Sequence, residues 1–327
     1  MNLLYSDKPG TGKLSKPEGA VTVITGASSG IGRATALKLS RLGARTVLVS
    51  RQQQALDDLA ARCHELGGSA VAMAADVADE DAMNEVVRFT VAELGGLDVW
   101  INNAGVTLYG QLDQVPSEDF RRVVDTNLFG YVNGARAVLP VFRRQDSGTL
   151  INVASIVGKG GQAWADAYVV SKFGVYGLST ALRQNLIDHK NINVVTVIPP
   201  SVDTPLFQHG GNFTGRAARA IWPAQPAEKV ASAIINAMEN PRRQVVVGFQ
   251  ARLGVLASQF FPALSEPVFA RITRSRHFQN VPQPPTHGNL FVPDPDWNRV
   301  SGGWRRPLGI TAAARLVTRL YRLVRRR

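Results

Sequence analysis

A six-residue apolar run, AVTVIT (Ala20–Thr25), leads straight into the glycine cluster GASSGIG, which opens an alanine- and leucine-rich stretch, RATALKLSRLG. A strand that must turn at once into a helix admits few folds. Gly26, Gly30 and Gly32 fall where the chain turns sharply, lets a pyrophosphate approach the backbone, and packs helix on strand. The helix that follows would aim its unsatisfied first-turn amides at the phosphates. Further apolar runs follow at regular spacing: RTVLVS ending at Ser50, SAVAMAADV ending at Asp76 and Val77, LDVWINNAG ending at Gly105, TLINVAS ending at Ser155, NINVVTVIP ending at Pro199, and QVVVG. Helical patterns separate them, at Gln52–Leu66, Asp79–Leu94, Ser117–Arg144, Trp164–Asp188 and Ala227–Asn240. Repeated strand–helix alternation predicts an α/β fold with a parallel sheet.

The second chemical signal is SIVGKGGQAWADAYVVSK, from Ser155 to Lys172. Tyr168 and Lys172 are four residues apart, so on a helix they share one face, one turn apart. A free phenol titrates near 10 and is a poor proton donor at neutral pH, and a neighbouring ammonium draws it toward the working range. The intervening loop can bring the Ser155 hydroxyl beside the phenol, so that both grip one carbonyl or alcohol oxygen. With six tyrosines in 327 residues, chance supplies roughly 0.15 such Tyr–Lys pairs, so the motif gains its weight from its neighbours.

Those neighbours carry a resemblance. TGASSGIG, NNAG (Asn102–Gly105), the asparagine of DTNLFG, a serine closing the fifth strand, and YVVSK are similar, in order and spacing, to the short-chain dehydrogenase/reductase family from about residue 20 to 248. The resemblance implies a single Rossmann-type domain, a doubly wound parallel sheet of about seven strands with helices on both faces, and NAD(P)-dependent oxidoreduction. It assigns Asn127, Ser155, Tyr168 and Lys172 as the catalytic tetrad. It places the cofactor on Gly26, Ser28, Ser29, Gly30, Ile31, Gly32, Ser50, Arg51, Asp76, Val77, Asn103, Ala104, Gly105, Tyr168, Lys172, Pro199, Val202 and Thr204. At the tip of the second strand an acid would bind a ribose 2′-hydroxyl, whereas Ser50–Arg51 offers a guanidinium that can pair with a 2′-phosphate. NADP(H) is therefore the expected cofactor. Where the family has Pro-Gly, this chain has Pro199-Pro200, which removes a backbone donor and bars positive φ.

Residues 205–224 read as a mobile lid. Leu206, Phe207, Phe213, Ile221 and Trp222, with Val157 and Trp164 near the serine, give it an apolar face and imply a hydrophobic carbonyl or alcohol as substrate. His209 reads as a lid surface residue, and no His/Cys cluster announces a metal. The alternative of another class is a catalytically silent nucleotide-sensing or scaffold protein on the same fold. Such a chain would be free to lose the tyrosine or lysine, and both are present.

Residues 1–19 form a polar arm, 20–248 the oxidoreductase domain, and 249–327 an extension beyond the family's usual core. Leu253–Ile272 reads as one or two apolar helices broken by Pro262 and Pro267, and 281–309 as an irregular strap. The net charge is +12, but it is uneven: residues 249–327 carry 13 arginines against 3 acids. The extension has no nucleic-acid reading module, so no nucleic acid is expected as a partner. The end of the chain, residues 315–327, repeats Leu316, Val317, Leu320, Leu323 and Val324 at helical spacing among arginines, the pattern of a peripheral helix on an anionic membrane or of one docked on protein. A single cysteine and the absence of a long apolar run point to the cytoplasm, with peripheral contact at the membrane. The family resemblance implies a homodimer or homotetramer.

Overall fold

In the computed structural model, which describes residues 16–305, seven parallel strands form one sheet with helices on both faces. The strands are β1 (Val21–Thr25), β2 (Arg45–Ser50), β3 (Ser69–Ala74), β4 (Val99–Asn102), β5 (Gly148–Val153), β6 (Ile192–Ile198) and β7 (Gln244–Val246). Their spatial order is β7-β6-β5-β4-β1-β2-β3. The order reverses between β1 and β4, and a crevice opens there at the carboxyl ends of the strands.

The strands lack polar alternation because both faces are covered. On β1 and β2, Val23 and Val47 pack toward α3 (Glu80–Leu94) and α5 (Gly130–Gln145). Ile24 and Leu48 pack toward α1 (Gly30–Ser40), α2 (Gln53–Glu65) and α7 (Ala227–Glu239). All four are fully buried; removing each from water contributes about 1.5–3 kcal/mol.

The helix expected over Ser117–Arg144 is not continuous. α4 (Ser117–Val124) passes through a π-helical turn, Asp125–Phe129, before α5 begins. The turn is held by Asn127, whose Nδ2 donates to the Val106 carbonyl at 2.9 Å while its Oδ1 accepts from the Val106 amide at 2.8 Å. Such widened turns concentrate at functional sites. α6 (Asp166–Asn185) carries Tyr168 and Lys172.

The extension packs onto the domain. Two helices, α8 (Phe249–Phe260) and α9 (Pro262–Arg276), form a hairpin. Pro262 opens α9, as predicted for a break, but Pro267 lies inside the helix. The strand Phe278–Pro282 then pairs antiparallel with Arg216–Ala218. The remaining strap runs back over the sheet's carboxyl edge. Residues 205–224 are stitched to that frame: Asn212 and Thr286 exchange amide–carbonyl bonds at 2.7 and 3.0 Å. No helix among the described residues is long and apolar enough to cross a membrane. The basic stretch 315–327 and most of the N-terminal arm lie outside the described residues.

Candidate active site

Three glycines let the first turn close. At Gly26 (φ +65°) an added Cβ would sit 2.6 Å from the Ala104 Cα, and at Gly32 it would sit 2.2 Å from the Gly26 carbonyl oxygen. Neither contact is tolerable for a real side chain. The Asn103 amide fixes the loop from the next strand, donating to the carbonyls of Thr25 (3.0 Å) and Gly26 (3.2 Å). Ser29 precedes α1 in extended conformation without a side-chain cap, so the helix's own first-turn amides need outside acceptors.

One cavity of about 430 Å³ extends from this loop to the carboxyl ends of β5 and β6. It gathers every predicted cofactor and catalytic residue except Gly32 and Asn127. Gly32 lies behind the loop, and Asn127 is wholly buried below it. Asn127 also donates to Ser171 Oγ at 3.1 Å, tying the π turn to α6 beside Tyr168.

Ser155 and Lys172 are buried. The lysine Nζ donates to the Val153 carbonyl at 3.0 Å and to Tyr131 Oη at 3.3 Å. Tyr131 Oη donates to that same carbonyl at 2.8 Å, so a residue absent from the sequence prediction helps hold the lysine. The lysine Nζ lies 5.6 Å from the centroid of the Tyr168 ring. The expected lowering of the phenol is overturned here. Burial pushes Tyr168 up to about 12 despite the opposing Ser155 hydroxyl, and burial also pushes Lys172 down to about 7. Desolvation disfavours the charged form of each, so near neutral pH the phenol is protonated and the lysine stands close to half ionised.

Arg51 stands at the tip of β2 as predicted, yet the strap has already engaged it. Its Nη1 donates to the carbonyls of Leu290 (2.8 Å) and Phe291 (3.2 Å), and its Nη2 to that of Asn289 (2.6 Å). Arg122 adds a bond to the Leu290 carbonyl at 2.9 Å and forms an ion pair with Asp76. Burial alone would raise the Asp76 carboxyl; the Arg122 contact and the Ala78 amide outweigh it and hold it below the usual range. Farther along, the Gly30 amide donates to the Arg299 carbonyl at 2.9 Å. Ser301 Oγ and the Trp304 amide donate to Asp203 at 2.7 and 2.8 Å. Asn289, Asp294 and Asn298 of the strap thereby become a wall of the cavity.

His209 is corrected from surface to interior, with 7% of its surface exposed. The Asn289 amide donates to its Nδ1 at 3.1 Å, which leaves the proton on Nε2, an atom with no partner among the described residues. Phe213 and Trp164 also depart from the expected apolar face. Phe213 packs with Val106, Leu108 and Leu290, and Trp164 against Phe278 outside the cavity. Leu206, Phe207, Ile221 and Trp222 do line it. His277 joins them from the end of α9, only 1% exposed, in an aromatic setting of Tyr109, Phe207 and Phe278. Neither ring nitrogen makes a hydrogen bond of good geometry among the described residues, although the backbone of Arg219 lies close to the ring. Burial drives this imidazole down to about 4. Among the described residues no cluster of three or more His, Cys, Asp or Glu could hold a metal ion.

The described geometry has counterparts among known proteins. The family model described as short chain dehydrogenase matches residues 20–212. The uncharacterized oxidoreductase YxnA of Bacillus subtilis is 33% identical over 283 residues, 85% of this chain and 80% of that protein. A 3-oxoacyl-acyl-carrier-protein reductase, FabG of Thermotoga maritima, is 36% identical over 191 residues, 58% of this chain and 77% of that protein. A crystal structure of a short-chain dehydrogenase from Streptomyces avermitilis superposes with a TM-score of 0.66 at 27% identity, covering 79% of this chain and 98% of that one. With the family model lying across the glycine loop and the Ser–Tyr–Lys set that the fold brings into one cleft, this chain belongs to the short-chain dehydrogenase family of oxidoreductases.

Proposed function

We propose that the protein interconverts a carbonyl and an alcohol on a hydrophobic small molecule with NADP(H) as cofactor. The observation that carries this reading is the continuity of a single cavity from the glycine loop to the buried Ser155 and Lys172 and the partly buried Tyr168. The tight turn at Gly26 and Gly32, where a Cβ would strike the backbone of Ala104 and Gly26, fits a dinucleotide because it leaves the backbone of Ser28, Ser29, Gly30 and Ile31 bare along the cavity wall. The α1 amides that follow Gly30, whose own amide is taken by the Arg299 carbonyl, would hold its phosphates, and Asp76 with Val77 would hold its adenine end. The bound nicotinamide supplies or accepts the hydride.

This chain's own groups handle the proton and the oxygen. Tyr168 Oη gives its proton to the carbonyl oxygen during reduction and takes it back during oxidation. A phenol held high by burial is a fully protonated donor at neutral pH. Ser155 Oγ hydrogen-bonds the same oxygen and stabilises the charge that develops there. Lys172, held by Val153 and Tyr131, becomes favoured as an ammonium once charge appears on the phenol, and so lowers the cost of proton transfer. Asn127 keeps the π turn that places the floor of the site.

The choice of NADP(H) rests on Arg51. Its three bonds to strap carbonyls leave Nε–H and one Nη2–H of its five donors for a 2′-phosphate, on a guanidinium that is already oriented. Half-exposed Phe129, Val170 and Phe173 at the π turn and on α6 support assembly as a homo-oligomer through that face. A silent nucleotide-binding scaffold would retain the cleft without turnover. Oxidation of NADPH and NADH followed at 340 nm against steroid, retinoid, fatty and aryl carbonyls separates the two. Turnover with NADPH supports the reading, and cofactor binding without turnover on any carbonyl favours the scaffold.

A further inference from the structure

The α8–α9 hairpin has two unlike faces. Inward, Ala251, Ser258, Phe269, Ile272 and Thr273 line the cavity. The fit is close: a Cβ on Gly160 would lie 2.3 Å from Ser258 Oγ. Outward, α8 presents Phe249, Leu253, Leu256 and Phe260 at 73, 51, 49 and 57% exposure. Their spacing of i, i+4, i+7 and i+11 makes one continuous stripe. Phe261, Leu264 and Val268 continue it onto α9 at 61, 72 and 50% exposure. Trp222, 64% exposed, marks the cavity's rim. Single exposed apolar residues need no explanation, but seven large ones grouped on one helical hairpin mark a surface that meets something.

Charge identifies the occupant. Arg252, Arg271, Arg274 and Arg276 are exposed along the hairpin, whose one acid is Glu266. No acidic residue follows Asp296, while nine arginines do. A second copy seated on this face would bring like charges together, whereas an anionic surface neutralises them. An apolar stripe bordered by arginines matches the acyl boundary of a bilayer and its anionic headgroups.

We propose that the outer face of the α8–α9 hairpin docks the protein on an anionic membrane, with the substrate cavity directly behind it. Apolar molecules then reach Tyr168 from the lipid. That delivery role rests on the oxidoreductase reading; the docking does not, and it is tested without turnover.

The full chain is co-sedimented with vesicles of phosphatidylcholine alone and of phosphatidylcholine with roughly 30% phosphatidylserine, at low and physiological salt. Wild type is expected in the pellet with the anionic vesicles and in the supernatant with the neutral ones. Leu253→Asp/Leu256→Asp/Leu264→Asp, with the basic C-terminus intact, is expected to partition at least roughly tenfold less. Equal partitioning of this variant and wild type overturns the proposal by assigning binding to another part of the chain. Wild type that stays with neither vesicle overturns it as well, and a dimer by light scattering that the triple variant breaks would identify a second copy as the occupant. Circular dichroism checks the fold. Should the triple variant unfold, Arg252→Glu/Arg271→Glu/Arg274→Glu takes its place, with the same loss on anionic vesicles expected and unchanged partitioning overturning the proposal.

Discussion

His277 should make the folded protein sensitive to acid in a defined window. In the unfolded chain an imidazole titrates near 6.5; in the fold, burial among Tyr109, Phe207 and Phe278 brings it to about 4. Between those values the unfolded state binds more protons than the native one, so stability is complete above the unfolded value and is lost as pH falls toward the folded one. The ratio of binding polynomials gives a loss of about 2 kcal/mol on going from pH 7 to pH 5, levelling near 3 kcal/mol below pH 4. His277→Phe keeps the aromatic packing and removes the titration. Urea unfolding of wild type and variant at pH 7 and pH 5 isolates the effect, because every other acid-sensitive group, Lys172 included, is common to both. The variant should lose about 2 kcal/mol less than wild type over that interval. Equal losses in the two proteins would refute the reasoning and place His277 in contact with water or a partner group.

Three further outcomes follow from the cofactor side. Ser50→Asp with Arg51→Ala should shift the NADPH-to-NADH affinity ratio toward NADH by roughly 10–150-fold, the worth of a charge-assisted contact of about 1.5–3 kcal/mol; fluorescence titration with each cofactor reads it. Gly32→Ala forces a Cβ to within 2.2 Å of the Gly26 carbonyl oxygen, so the loop must move and NADPH affinity should fall more than roughly tenfold in the same titration. Asp203→Ala removes the acceptor of Ser301 and Trp304, so the strap opens and NADPH dissociation in stopped flow should quicken by about tenfold.

The sheet was readable because its strands are buried on both faces and appear as unbroken apolar runs between turn residues. Ser155, Tyr168 and Lys172 were readable as neighbours because strand ends and helical spacing are local geometry. Their electrostatics were not. Spacing says that an ammonium stands near a phenol, but only the depth of burial decides that desolvation of Tyr168 prevails. The π turn was equally hidden, since DTNLF has no breaker, and it is Asn127's bonds to Val106, 21 residues away, that select it. The surroundings of His209 and Arg51 are not legible in the sequence for one reason: their partners lie in the strap, Asn289 being 80 residues from His209 and 238 from Arg51. A Pro- and Gly-rich segment declares itself a loop without saying where it lands.

The central claim is that Tyr168 Oη carries the proton while the rest of the cleft holds the cofactor. Tyr168→Phe removes that single oxygen from the cavity wall and leaves the ring in place. Turnover of the best carbonyl with NADPH should fall by roughly 10²–10⁴-fold, while NADPH binding by titration stays within about twofold, since the phosphate and adenine contacts lie elsewhere in the cleft. Turnover retained within tenfold of wild type would contradict the account.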